Sequence, residues 1–577
     1  MNIATKLGVT LLAIIAGTSN IAAAQSASNT TRIALLGCID EERPVPALER
    51  YANLGADLHL WLGDNVYVDT QNEVDAFYEA YELLRKKPYF EQLRQQGIHL
   101  ATWDDHDFGD NNETSSYPLK RESLEAFTAF WGNGEALVDP SDGIYQQHVL
   151  DFGGKTLNVI LLDVRFNRDQ PDGNGDILGE KQWQWLEQAI AVDADLTLLV
   201  SGTQFLLSAN ADSETWENYP LSLARLRDLV RLSNTPPVVM ISGDQHYAEA
   251  NVRKQWFDVD AVELQFAGVN QIEGPELNYY RASPVNTSLN TVGYLDVQWE
   301  PSDQHLPHIL YTVENATSGE VEFTYRVNLG DLVPEPELTG VPVFDHEAAF
   351  TLSNPYPALT AKYQMIDPAG QTTQWQQAED GVVRITREGV LRVGLFSSSG
   401  VQRGRLVEQP VTQMNLKEGV TKESLSVGLH VFYEEGDYDV VPPSNAVTNY
   451  IGTVNEPTIE GLKTREDKYA LWFDGFVTVP ESGIYRVTSF SDDGSLVFLH
   501  DQLVVDNDGS HSPTPADGLV GLKAGTHPIG IGYFENYAGE TLSLRWALQA
   551  DDQWRPISVR YSHDPAANAL IQKPTQQ

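Results

Sequence analysis

The first three hundred residues alternate short, almost uninterrupted apolar runs with longer mixed stretches. Ile33–Leu36, Leu58-His59-Leu60-Trp61-Leu62, Leu157–Leu162, Leu196–Val200 and Val238–Ile241 have the length and branched-residue content of strands buried on both faces. Between them, Val74–Arg85, Arg121–Trp131 and Glu180–Ala191 space their apolar positions as amphipathic helices do. Strands alternating with helices predict an α/β fold in which helices cover the sheets. The texture changes near Leu332, where "LVPEPELTGVP" reads as a linker by its prolines. Residues 336–412 lack helical periodicity and carry alternating runs such as Val382-Val383-Arg384-Ile385, which predicts a small β-sandwich. From 413 to 560 the chain is again β-patterned. Tyr469–Val477, Gly483–Ser489, Ser495–Leu499 and Leu542–Trp546 are separated there by Gly, Asp and Asn turns. Residues 561–577 are polar and read as a frayed tail.

Residues 1–24 carry a short basic start, an apolar run from Leu7 to Ile15 and small residues at Ala22-Ala23-Ala24. That pattern predicts a removed signal peptide and places the remaining chain, 25–577, in the periplasm, at the cell surface or outside the cell. The run is too short to span a bilayer, and no later segment is apolar enough. With 38 basic and 81 acidic residues the net charge is −43, which disfavours nucleic acid and anionic membranes as partners. A single cysteine, Cys38, excludes an intramolecular disulfide. "LLGC" around it has the look of a lipid-attachment signal, but Gln25–Arg32 separates it from the apolar run. The remaining readings of the thiol are a core bystander and a metal ligand.

Four of the five apolar strands run into polar clusters at or just beyond their ends. Cys38 and Asp40 follow the first, and "GDNVYVD" supplies Asp64, Tyr67 and Asp69 after the second. "TWDDHDFGDNN" holds Asp104, Asp105, His106, Asp107, Asp110, Asn111 and Asn112; "SGTQ" holds Gln204; "SGDQHYAE" holds Asp244 and His246. Ligands of layered α/β folds bind outside the carboxyl ends of strands, so the repetition predicts one shared metal site.

These motifs, together with "YPLKRESLEAFTAFW" and "LLDVRFNRD", resemble in their order the PhoD-type alkaline phosphatases and phosphodiesterases of the calcineurin-like metallophosphoesterases. The resemblance covers about residues 30–330. It implies a two-layered β-sandwich flanked by helices over 25–335, with a multinuclear centre of Fe³⁺ and Ca²⁺. Other divalent ions suit the same donors. Carried over position by position, it makes Cys38, Asp64, Tyr67, Asp105, Asp244 and His246 metal ligands, with Asp64 bridging. Gln204 stands where relatives have a further His. His106 is then the outer-sphere proton donor to the leaving group, and Arg165 offers a planar fork to phosphate oxygens. The chain departs from the pattern in continuing "DDHD" as "FGDNN", where other members have a Glu. Carboxylates and a phenolate suit Fe³⁺, whose charge keeps a thiolate and a phenolate deprotonated. Two such cations activate a bridging water as hydroxide for in-line attack on phosphorus.

"LWFDGFVTVPESGIYRVTSFSDDGSLVFLHDQLVVDNDG" and "GLKAGTHPIGIGYFENYAGETLSLRW" resemble the β-barrel module of anthrax protective antigen. That likeness implies an all-β barrel over 413–560 that binds polysaccharide or cell-surface glycan. In some relatives adjacent aspartates hold a calcium ion, a place matched by Asp492 and Asp493, with Asn507 a further oxygen ligand. The function implied is that of an exported metal-dependent phosphoester hydrolase with an accessory binding module. The alternatives are a phospholipase or cell-wall polymer phosphodiesterase on the same fold, and an adhesion protein with a degenerate hydrolase domain.

Overall fold

The structure is a computed structural model describing residues 29–563, apart from 133, 209–212, 234–236, 287, 301–305, 357–358, 399, 463–464 and 552. The expected signal segment, and the tail from 564, lie outside the described residues. The chain divides into two compact units. One comprises residues up to 337 with 353–362 and 393–407; the other comprises 338–352, 363–392 and 408 onward.

The first unit begins β1 (Thr30–Leu36), α1 (Ala47–Ala52), β2 (Leu58–Leu62), α2 (Val74–Arg85), α3 (Phe90–Arg94), β3 (Ile98–Thr102), α4 (Asp105–Phe108) and α5 (Lys120–Trp131). It continues β4 (Gln146–Phe152), β5 (Lys155–Leu161), α6 (Glu180–Ala189), β6 (Leu196–Ser201), α7 (Pro220–Ser233), β7 (Val238–Ser242), β8 (Ala248–Arg253) and β9 (Ala261–Phe266). The meander β10 (Thr291–Gln298), β11 (His308–Asn315) and β12 (Val321–Asn328) follows.

These strands make two six-stranded sheets, ordered β12-β11-β10-β1-β2-β3 and β4-β5-β6-β7-β9-β8. Strands β1, β2 and β3 run parallel, as do β5, β6, β7 and β9. Leu58, Leu60 and Leu62 share one core with Leu157, Val159, Leu198, Val200 and Ile241 from the other sheet. The alternate residues Ile160, Leu199 and Met240 turn the other way, onto Trp183 and Leu186 of α6 and Leu223 and Leu226 of α7. Burial on both faces explains why these strands read as continuous apolar runs. On the outward face of the first sheet, His59 and His99 stack with centroids 4.3 Å apart, and Trp61 Nε1 donates to His99 Nδ1.

Residues 337–413 contain a three-stranded and a five-stranded sheet. Beyond them, the strands of the second unit form an eight-stranded and a four-stranded sheet. Leu471, Val497 and Ile531 of the larger sheet share a core with Val487, Val520 and Trp546 of the smaller. Tyr561 and Ser562, expected to open the tail, complete the strand Val559–Ser562, which pairs with Leu425–Val427.

Candidate metal centre

The parallel strands of both sheets end at the same edge of the first unit, and their following residues converge. Cys38 comes after β1, Asp64 after β2, Asp104 and Asp105 after β3, and Asp244 and His246 after β7. Ligand atoms of Cys38, Asp64 and His246 lie within 4.8 Å of one another, and so do those of Asp64, Asp104, Asp105 and Asp244. Asp64 belongs to both groups. Cys38 Sγ sits 3.4 Å from Asp64 Oδ2 and 3.4 Å from the Asp244 carbonyl oxygen. Tyr67 Oη lies 3.1 Å from His246 Nε2. The structure thus gathers all six ligands expected from the motifs, and adds Asp104. A tandem Asp-Asp at a strand end is the signal that marks this residue, but a helix begins there, so spacing alone does not tell which carboxylate faces the site.

The backbone is bent to aim these groups. Cys38, Asp64, Asp69 and Asp244 all have positive φ, at 53°, 47°, 44° and 72°. Left-handed backbone costs a non-glycine residue on the order of 1 kcal/mol, and such strain concentrates at functional sites. Backbone bonds between strand ends hold the turns: Cys38 N donates to Gly63 O, Ile39 N to Asp64 O and Gly243 N to Gly202 O. Gly202 is required by close approach, since a Cβ there would meet Asp104 Oδ1 at 2.7 Å.

The donor set fits multivalent cations. Burial, reinforced by the neighbouring carboxylates, pushes Asp64 and Asp244 well above the usual carboxylate range. Burial likewise raises the Cys38 thiol and the Tyr67 phenol, each next to the other and to Asp64. Asp104 is pushed up to about 6 by burial, against the opposing pull of Arg165, and its Oδ2 is buried without a hydrogen-bond partner. Such a concentration of buried anionic donors calls for neutralising charge. The thiol and imidazole group with Asp64 in one cluster, beside the Tyr67 phenol, and the further carboxylates group with Asp64 in the other.

The outer residues are placed as follows. His106 Nδ1 lies 2.5 Å from Asp69 Oδ1, and the Tyr67 ring covers it at 4.2 Å between centroids. Burial is the largest single influence and opposes a charge on the imidazole, but the bond to Asp69 and the charges of Asp105 and Asp69 together outweigh it and raise the pKa. Arg165 is fully buried and its donors are spent on protein. Nε donates to Asp104 Oδ1, the Nη atoms fork Glu214, and Nη2 also reaches Thr203 Oγ1. It stands behind Asp104 and Asp105, and holds Asp105 below the usual carboxylate range despite burial. Arg168 pairs with the same Glu214. Gln204 Nε2 donates to Glu249 Oε1, 3.0 Å away. In the second unit, Asp493 accepts from the backbone of His511 and Asn536, and Asn507 Nδ2 donates to Ser491 Oγ and Thr514 O. Among the described residues, no third acidic, thiol or imidazole ligand joins Asp492 and Asp493 at metal-binding spacing.

Fold and donor set together define an α/β unit with a buried, cation-demanding acidic centre at its strand ends. Residues 41–290 match the family model of PhoD-like phosphatases, and residues 425–556 match the PA14 domain. The chain therefore carries a PhoD-like phosphatase domain and a C-terminal PA14 domain. It is 23% identical to alkaline phosphatase D of Bacillus subtilis (strain 168), over 36% of this chain and 44% of that protein, less than half the relative's length. Among solved structures, that of PhoD aligns with 68% of this chain and 73% of its own at 15% identity and a TM-score of 0.38. The epithelial adhesin 9 A domain of Candida glabrata, solved with Galβ1-3GlcNAc, aligns with 26% of this chain and 98% of its own at 11% identity and a TM-score of 0.21.

Proposed function

We propose that the chain is an exported metal-dependent phosphoester hydrolase of the alkaline phosphatase D type, on the two-layered sandwich of the metallophosphoesterases. The observation that carries this reading is the pair of ligand clusters sharing Asp64, whose members other than Cys38 lie within residues 41–290, the segment that matches PhoD-like phosphatases. Cys38, Tyr67, His246 and Asp64 would hold Fe³⁺, and Asp64, Asp105 and Asp244, joined by Asp104, would hold Ca²⁺ or another divalent ion. Bound there, the ions supply the charge that polarises a phosphoryl group and acidifies water. His106 is the proton donor to the departing oxygen: Asp69 fixes Nδ1, which leaves Nε2 for the substrate. Arg165, with its fork taken by Glu214, braces Asp104 and Asp105 and is not the phosphate clamp expected from its place after β5.

The division of labour runs along the chain, with residues 25–335 catalytic, 336–412 a fibronectin-like spacer and 413–560 a glycan-binding module. Asp492, Asp493 and Asn507 are its candidate calcium and sugar contacts. Among the described residues no helix is long and apolar enough to cross a membrane. The test is metal analysis of the purified protein alongside assays on phosphate monoesters, diesters, phospholipids and cell-wall polymers. The preferred substrate assigns the ester class. Asp64→Ala is expected to abolish hydrolysis and to lower the content of both metals, because one carboxylate serves both clusters. Full activity at unchanged stoichiometry refutes the assignment.

A further inference from the structure

His246 is the imidazole of the thiolate-side cluster, and a metal ligand needs one ring nitrogen with a free lone pair. Its two nitrogens face different neighbours. Nε2 points to Tyr67 Oη, on the side of Cys38 and Asp64, whereas Nδ1 lies 3.5 Å from Glu273 Oε1. Glu273 is not placed there by chance of rotamer alone, because its backbone N donates to the His246 carbonyl oxygen. The same segment grips the other half of the cluster. Val269 N donates to Gly37 O, beside Cys38, and Asn270 pairs through both side-chain atoms with the backbone of Asp40. Val269, Asn270 and Glu273, three residues of the loop after β9, therefore tie the strand end that carries Cys38 to the one that carries His246. The other charged groups that act on His246 are His106, which disfavours a charge on it, and Asp105, which favours one.

We propose that Glu273 is a positioning residue for the metal centre, holding His246 with a proton on Nδ1 so that Nε2 offers its lone pair to the ion shared with Cys38 and Asp64. This rests on the metal-centre reading above. Carboxylates that accept from the outer nitrogen of a ligating histidine fix its tautomer and raise its basicity, and their loss costs about 10–100-fold in metal affinity. A carboxylate that merely decorates the loop would leave affinity unchanged. Sequence spacing gives no hint of the pairing, since Glu273 lies in a stretch with neither helical nor strand period.

The experiment is a titration of metal-stripped protein with Co²⁺ alone, followed by the thiolate-to-cobalt absorption that reports the Cys38 side of the site. Glu273→Ala is expected to weaken Co²⁺ by about 10–100-fold. Glu273→Gln, whose amide oxygen still accepts from Nδ1, is expected to recover most of that loss. Glu42→Ala removes an exposed carboxylate two residues from Asp40 and should leave the affinity as in the wild type. Three results overturn the proposal: unchanged affinity in Glu273→Ala, an equal loss in Glu42→Ala, or a loss matched by a lower Tm of the metal-free variant. A wild-type protein that binds Co²⁺ without the thiolate absorption refutes the metal-centre reading itself, and the role of Glu273 with it.

Discussion

His106 illustrates how much a single side chain depends on neighbours that the linear sequence does not announce. Its backbone N donates to Asp64 Oδ1 and Asp105 Oδ1, so it starts the same helical turn that carries a candidate ligand. Its ring is held at Nδ1 by Asp69 and covered by Tyr67, which leaves one nitrogen to act. A proton donor outside the metal shell predicts a specific defect. His106→Ala should retain its metals but lose turnover by roughly 10²–10⁴-fold on esters with poor leaving groups. The loss should shrink as the leaving group becomes more acidic, because a stable anion departs without a proton. A linear free-energy plot of rate against leaving-group pKa measures this; parallel lines for wild type and variant would exclude the role. Arg165 teaches the converse lesson. A cation after a strand suggests a phosphate fork, yet Glu214, forty-nine positions further on, occupies it. No local pattern could have revealed that partner.

At the scale of elements, β2 and β3 carry a titratable pair into the interior. His59 is buried and stacks on His99, and burial lowers their pKa values to about 4 and about 3, from 6.5. Both are neutral in the fold and protonate more readily when it opens. Their contribution to stability is therefore complete above about pH 6.5 and is lost as the pH falls through 4. Asp107 and Glu263, raised by burial to about 7, work in the opposite direction, gaining stability as the pH falls below 7. The two effects are separated by comparing variants. His59→Phe keeps an aromatic ring in the stack and removes one buried base. Its Tm should match the wild type near pH 7 and exceed it increasingly towards pH 4.5, as thermal unfolding in a pH series would reveal. A constant offset at every pH would show that the imidazole binds protons equally in the folded and unfolded states, so that burial does not shift it.

The same strands show what the hydrophobic pattern can and cannot convey. The runs Leu58–Leu62 and Leu196–Val200 were legible because both faces are buried, one in the core between sheets and one under helices. The clustering of Asp, Cys and His residues at strand ends was legible because parallel strands deliver their C-terminal ends to one edge. Asp104, Glu214 and Glu273 were not. Their roles depend on which side a carboxylate faces after a turn, and on loops whose course no periodicity encodes. The positive φ values at Cys38, Asp64 and Asp244 belong to that hidden part, since none of the three is a glycine.

The whole chain joins a segment matching PhoD-like phosphatases and a segment matching PA14 domains in one strongly acidic molecule, and its charge bears on both proposed activities. A net charge of −43 repels free anionic esters at low ionic strength, so salt should raise the apparent affinity for a dianionic monoester. The candidate ligands of the metal centre end at His246, whereas the PA14 match begins at residue 425, so catalysis and retention should be separable. Removing everything from residue 413 onward is expected to leave kcat and KM for a small soluble ester unchanged, with the same metal content per chain. What should disappear is retention on insoluble polysaccharide or on cell surfaces, measured by co-sedimentation before and after truncation. The intact chain should also turn over esters attached to such a surface faster than free ones, because binding through the module raises the local substrate concentration. The truncated chain should show no such preference. If instead it is folded and metal-loaded but inactive on the small ester, the C-terminal residues take part in the reaction, and the two activities are not independent.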